Sequence, residues 1–514
     1  MDIDFDSLED RAQDFEGADA HPETARILQE LDAKKTARRI AVPTKDLDVR
    51  ARLREEGEPI TLFGERPEDR RDRLRSIWNL KRSAKADMAM DEDSDDSSDS
   101  GEEGEKEEEF YTEGTMDLKQ ARKNMAEFSM ERARKRLARQ RLETSLPLGR
   151  LMDVRRAVYA ELKTFTNLGS QIGDTRPLSS LRFSPDSSML FTSSWTGHAK
   201  LWSIPACKEI KTLKAHKERI GGVAWHPQAT LSQSRTAVNF ATSGADNDVK
   251  LWGLETDQPL LTLAGHSARV CRIAFHPSGK YIGSASYDGT WRLWDAERGG
   301  EELLLQEGHS KEVYAIAFQE DGALVCTGGL DAIGRVWDLR SGKTAMVLDG
   351  HVKDILGIDF SPNGHQIATG SNDDTVRIWD MRSLKSIKTI PAHKSAVSDV
   401  KFFRTAPGLD SFPSTAVPFG LSKLPAFADD VRDPIEKDGE KADVPLSGSF
   451  LVTGGYDGMV KVWSADDWQL VKSMTSDAAG KVMSIDVSSD ARFLASAEYS
   501  RTFKLWSNPN VDLS

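Results

Sequence analysis

Residues 265–295 read GHSARVCRIAFHPSGKYIGSASYDGTWRLWD. Three short runs rich in β-branched, aromatic and small residues (VCRIAF, YIGSAS, TWRLW) are separated by HPSGK and YDG, both strong turn signals. The unit opens on Gly265-His266, passes through Asp288 and closes on Trp294-Asp295. The same skeleton returns in His309, Asp331 and Trp337, and again in His351, Asp373 and Trp379. It survives more loosely in His216, Asp246 and Trp252, and in His393, Asp457 and Trp463. Outward from this stretch, the closing tryptophans Trp202, Trp252, Trp294, Trp337, Trp379, Trp463 and Trp506 are spaced by 50, 42, 43, 42, 84 and 43 residues. A period near 42 is that of a four-stranded propeller blade. The doubled gap is not an eighth blade. His393 to Phe402 repeats the nine-residue step of His266 to Phe275, and Asp457 stands six before its tryptophan, as Asp288 does. Residues 404–448, proline-rich and without a blade pattern, are therefore one insertion between the first two strands of the sixth blade. Residues 228–237 lengthen the same loop of the second blade. The expected fold is an all-β, seven-bladed propeller over residues 160–507.

The recurring His, Ser/Thr, Asp and Trp invite a hydrolase reading, but five near-identical copies around a ring describe a scaffold. A turn Asp, a His and a Trp N–H can form a buried hydrogen-bond chain that locks turn to strand. The pattern resembles the WD-repeat family. The first unit departs from it with Asp174 and Thr196 at the His and Asp positions, and the last with Ala478 and Ser500. In such rings the outermost strand of the last blade comes from the N-terminal side, and residues 160–167 (AELKTFTN) are placed to supply it. Within the family pattern, the residue before the turn Asp points to the upper rim. Trp195, Tyr287, Tyr456 and Tyr499 occupy that position, and three of them fall in the adjoining blades six, seven and one. They are the candidate partner-binding arc.

Ahead of the ring the composition changes several times. Residues 1–42 hold one expected helix, over 22–40. Residues 43–82 read as helix, loop, helix, with Thr44 able to cap the first helix, Gly57 ending it and Pro67 opening the second. Residues 83–116 contain an acidic Ser/Asp/Glu tract that cannot bury enough apolar surface to fold. The net charge is −13, and residues 87–109 account for −12 of it. That excludes both a globally basic nucleic-acid binder and a uniformly acidic protein. Residues 117–145 read as a basic helix with only a thin apolar stripe (Leu118, Met125, Phe128), so burial is not its expected purpose. Its cations Arg132, Arg134, Lys135, Arg136, Arg139 and Arg141 suit RNA phosphates or a nuclear import signal, or form an ordinary solvated face. Cys207, Cys271 and Cys326 are too few and too dispersed for a disulfide framework. No run approaches the length of a bilayer span. A soluble, intracellular, non-enzymatic protein without metal or cofactor is expected.

Residues 42–76 (VPTKDLDVRARLREEGEPITLFGERPEDRRDRLRS) resemble the splicing-factor motif shared by pre-mRNA-processing factors four and eighteen; GEPITLFGE at 57–65 is its most specific part. Its apolar residues, Ile60, Leu62 and Phe63 among them, are too few for an independent core and suit docking on another protein. Motif followed by seven WD repeats is similar to the pre-mRNA-processing factor four family of the spliceosomal U4/U6 small nuclear ribonucleoprotein. The resemblance implies a nuclear scaffold of that particle and of the U4/U6·U5 tri-particle. It also implies pre-mRNA-processing factor three and a spliceosomal cyclophilin as partners, with U4/U6 small nuclear RNA contacted or nearby. A competing resemblance lies in the WDxR elements Trp337–Arg340 and Trp379–Arg382, found in substrate receptors of cullin ubiquitin ligases.

Overall fold

Alternation of apolar and polar residues, broken every six or so positions by a turn, leaves each repeat no option but an antiparallel meander. The computed structural model describes residues 42–43, 46–61, 65–90, 114–144, 146–405, 436–437, 440–441, 446–475 and 480–509. The ring contains seven four-stranded sheets, and the third blade shows the pattern: Val270–Phe275, Tyr281–Ser286, Trp291–Asp295 and Glu302–Gln306, each paired to the next. The first strands of neighbouring blades contact one another all the way round, so they line the central channel. One face of the ring carries the turns between first and second strands and between third and fourth. We call it the lower face. The upper face carries the second-to-third turns and the links between blades.

The sixth blade pairs Val397–Phe402 with Phe450–Gly455, which places the insertion 404–448 between its first two strands as expected. A two-stranded piece, Glu436–Lys437 with Glu440–Lys441, lies within it. The seventh blade is completed from the N-terminal side by Thr166–Ile172, antiparallel to Thr502–Ser507, with Thr166 opposite Ser507 and Ile172 opposite Thr502. This corrects the expected placement of that strand at 160–167. Residues up to Thr164 belong to a helix, Leu148–Thr164, in which Val154, Val158 and Leu162 recur at helical spacing and are buried among Phe403, Phe450, Val462 and Trp506. The helical period prevails to Thr164, and the strand starts two residues later.

The hydrogen-bond chain is present in all five regular blades. In the third, His266 Nδ1 lies 2.8 Å from Asp288, its Nε2 lies 2.7 Å from Ser284 Oγ, and Trp294 Nε1 donates to the same hydroxyl at 2.8 Å. His216, His309, His351 and His393 repeat it with Thr242, Thr327, Thr369 and Thr453. The first blade substitutes a Thr196 hydroxyl donating to Asp174. The seventh uses a residue that motif reading overlooks. Glu498 is fully buried and accepts from Ser500 Oγ at 2.9 Å, with Lys504 Nζ 3.6 Å away. Only its position two before Ser500 could have signalled it.

Four helices are described. The first two, α1 (Asp46–Glu55) and α2 (Pro67–Met90), form a hairpin closed by Val49, Leu53 and Leu74, with Ile77 and Trp78 against them. Gly57 ends α1 in a left-handed conformation at φ +76°. The indole of Trp78 donates to Glu56 at 3.0 Å, and Arg73 holds Glu65 at 2.7 Å. Helix α2 runs to Met90, eight residues beyond the expected boundary at 82 and into the start of the acidic tract. The expected helix over 22–40, the Thr44 cap, the remaining tract, Ala478, Leu62 and Phe63 lie outside the described residues. Helices α3 (Met116–Glu143) and α4 (Leu148–Thr164) lie against the ring.

Burial pushes the turn carboxyls up, but the imidazole hydrogen bond and charge outweigh it, and Asp288, Asp331 and Asp457 are held at about 2. Their folded values lie below the unfolded one, so this stabilisation is complete above about pH 4 and is lost as pH falls toward about 2. Thermal unfolding followed from pH 7 to pH 2 should include a steep fall in melting temperature within that window. Asp288→Asn should cost roughly 1–3 kcal/mol at pH 7 and flatten the acid limb. A chain starting at residue 174 lacks the closing strand and should fail to give a cooperative melt, whereas one starting at 147 keeps it and should lose only a few degrees.

Candidate partner-binding surfaces

The upper-face aromatics divide into two kinds. Trp195 and Tyr499 meet edge to face with centroids 5.6 Å apart, across the junction of blades one and seven. Tyr499 remains 47% exposed. Tyr456 and Tyr287 are half-buried and capped by cations: Lys481 Nζ lies 5.2 Å from the Tyr456 ring centroid, and the Arg269 guanidinium 3.6 Å from that of Tyr287. Burial pushes both of their hydroxyls up to about 12. The presented aromatic surface is therefore the Trp195–Tyr499 pair, with Tyr456 and Tyr287 as cation-capped shoulders.

The basic helix differs from its sequence reading. Leu118, Ala121 and Met125 of α3 are buried with Tyr281, Leu303, Leu304 and Leu339, so the helix is packed on the lower face across blades three to five. Phe128 lies against the His276 ring at 5.7 Å. Burial drives the His276 imidazole down to about 4, and its Nε2 lies 2.9 Å from the Gly322 carbonyl. The cations split by helical face. Arg136 donates to Asp321 at 2.8–2.9 Å and to the Asn363 carbonyl at 3.1 Å, and Arg132 stands 3.7 Å from Glu320 and over Phe128. Both therefore serve docking, not solvent. Arg134, Lys135, Arg139 and Arg141 face outward, Lys135 bonded to Glu131 at 2.7 Å.

Helix α4 covers the lower face at blade six. Tyr159 places its hydroxyl 3.0–3.1 Å from the Ser449 carbonyl, Ser464 Oγ and Asp466, and Lys472 donates to the Lys163 carbonyl at 2.8 Å. With α3 and α4 on the lower face, the upper face is clear of both. In the hairpin, Ile60 is half-buried and Leu47 is 78% exposed, a bare apolar side chain beside a core of three fully buried ones. Arg340 and Arg382 of the WDxR elements fold back on Asp338 and Asp380 at 3.0–3.3 Å. Among the described residues no group of three or more His, Cys, Asp or Glu could hold a metal.

A ring of four-stranded repeats locked by His, Asp and Trp defines a WD-repeat propeller. The WD domain, G-beta repeat model matches residues 165–203, 207–253, 257–295, 300–338, 342–380, 442–464 and 468–507, and the chain belongs to that family. Ahead of the ring, residues 49–77 match the model of pre-mRNA processing factor 4 (PRP4) like proteins, the segment folded as the α1–α2 hairpin. The chain is similar to the U4/U6 small nuclear ribonucleoprotein Prp4 of Bos taurus, 46% identical over 264 residues, covering 51% of this chain and 50% of the relative. It is also similar to the protein of that name from Homo sapiens, 42% over 208 residues (40% and 39%). To U4/U6 small nuclear ribonucleoprotein PRP4 of Saccharomyces cerevisiae it is 32% identical over 299 residues (56% and 62%). The aligned stretch thus spans about half the length of the first of these relatives.

If the Trp195–Tyr499 pair is a hot spot, replacing both by Ala should leave the melting temperature within a few degrees and cost about 2 kcal/mol or more of protein binding. Quantitative mass spectrometry of proteins retained by the tagged chain reads this directly, and unchanged retention moves the surface elsewhere.

Proposed function

We propose that this chain is a non-enzymatic, nuclear assembly platform of the U4/U6 small nuclear ribonucleoprotein and of the U4/U6·U5 tri-particle, acting in pre-mRNA splicing. The observation that carries the reading is the joint presence, in one chain, of a PRP4-like hairpin and a seven-bladed WD ring. Each part suits assembly. The propeller offers a rigid upper face bearing Trp195 and Tyr499, the place we assign to pre-mRNA-processing factor three. The hairpin, with so small a core and Leu47 bare, fits completion on a partner such as a spliceosomal cyclophilin, through Ile60, Leu62 and Phe63. Lys135 and Arg139, outward on α3, suit phosphates of U4/U6 small nuclear RNA.

Affinity purification from nuclear extract followed by RNA sequencing and mass spectrometry tests this. U4 and U6 small nuclear RNAs should co-purify with pre-mRNA-processing factor three, and recovery of a cullin with its adaptor instead would overturn it. Lys135→Glu with Arg139→Glu, on the side of α3 opposite Leu137, should weaken RNA retention several-fold near 0.15 M salt, less at higher salt, with an unchanged melt. Arg136→Glu should instead lower the melting temperature, because it breaks the contact to Asp321.

A further inference from the structure

A groove of about 480 Å³ runs between the C-terminal half of α3 and the lower, outer edge of blades four and five. Leu324, Val336 and Met346 of blade four form its floor; Leu137 of α3 stands on one side, Met381 and Leu384 of blade five on the other. Leu137 is 48% and Leu384 63% exposed. The volume falls within the roughly 300–1,000 Å³ of ligand-sized clefts.

Leu384 is the telling residue. In blades one, three, four, five and six the fifth residue after the closing tryptophan sits in the left-handed turn between third and fourth strands: Cys207, Gly299, Gly342, Leu384 and Trp468, with φ between +50° and +82°. Glycine adopts that conformation freely and a leucine does not. Blade four reads Arg-Ser-Gly342-Lys where blade five reads Arg-Ser-Leu384-Lys. Trp468 and Cys207 offset the strain by packing into hydrophobic clusters. Leu384 packs into none of the clusters and holds its side chain out at the groove edge. The charge around it is one-sided. Arg134 and Arg141 flank Leu137 along α3, and Lys385 faces outward next to Leu384. The nearby acids are already paired: Asp321 with Arg136, Asp380 with Arg382, Glu131 with Lys135.

We infer that this groove docks an amphipathic helical segment of a partner protein, with leucine-type side chains on the Leu324–Met346 floor and Asp or Glu facing the cationic rim. RNA would use the cations but leave the apolar floor without an occupant. The inference goes beyond the splicing reading and stands without it.

The test places a photo-reactive residue at position 137 of the full chain within its purified assembly and maps the cross-links by mass spectrometry. A cross-link to an acidic, amphipathic segment of another protein is expected. In the L384G background the melting temperature should hold or rise, since the turn is relieved, while that cross-link and the partner's retention fall at least tenfold. L384E should reduce both as strongly. Cross-links to RNA, to a basic segment, to a second copy or to residues 87–109 of the chain itself would overturn the proposal, as would no cross-link or undiminished retention in both variants.

Discussion

A single blade cannot exist alone in water. Its two faces are apolar and its outer strand exposes a row of unpaired N–H and C=O groups. The ring resolves the first problem by packing blade on blade and keeps the second small by leaving only short outer edges, while the pairing of Thr166–Ile172 with Thr502–Ser507 completes the last blade and ties the ends of the ring together. That seam joins the two sequence ends of the propeller, so its contacts have the greatest sequence separation in the fold and form only after the last strand exists. The channel-side ion pair of Arg182 with Asp399 and the Phe183 N–H donated to Asp486 presuppose that the ring has closed.

The polar network follows the seam. The five blades away from it share one His–Asp–Trp arrangement, while the two that meet at it use Asp174 with Thr196 and Glu498 with Lys504. Trp195 and Tyr499 extend from those same two irregular turns. Closure and the most exposed aromatic surface among the described residues thus share one sector of the upper face, while the two helices cover part of the lower one.

Period and turn chemistry made the blade count, the insertion site and the His–Asp–Trp chain legible in the sequence, because each depends on local residues at fixed spacing. The docking of α3 was not. A helix that crosses turns instead of a flat core needs few apolar side chains, and here Arg132 and Arg136 make up the rest with charge and aliphatic stems, which reads as solvated basic character. The start of the closing strand was masked because Val154, Val158 and Leu162 carry a helical period right up to it. Glu498 was hidden because the other blades carry Ser or Gly eight before the closing tryptophan, so a glutamate there has no counterpart in the repeat. Leu384 could have been read directly, since its neighbour blade shows glycine at the same step from the tryptophan.

The covalent order of α3, α4 and the closing strand has a mechanical meaning. Force applied at the N-terminal side would reach the seam only through these helices. It must first detach α3 from blades three to five, then α4 from blade six, before loading Thr166, where the strand would peel one hydrogen bond at a time. The two lower-face helices therefore act as successive clamps on a tether. Under load the chain would yield there first, and its ring would stay shut.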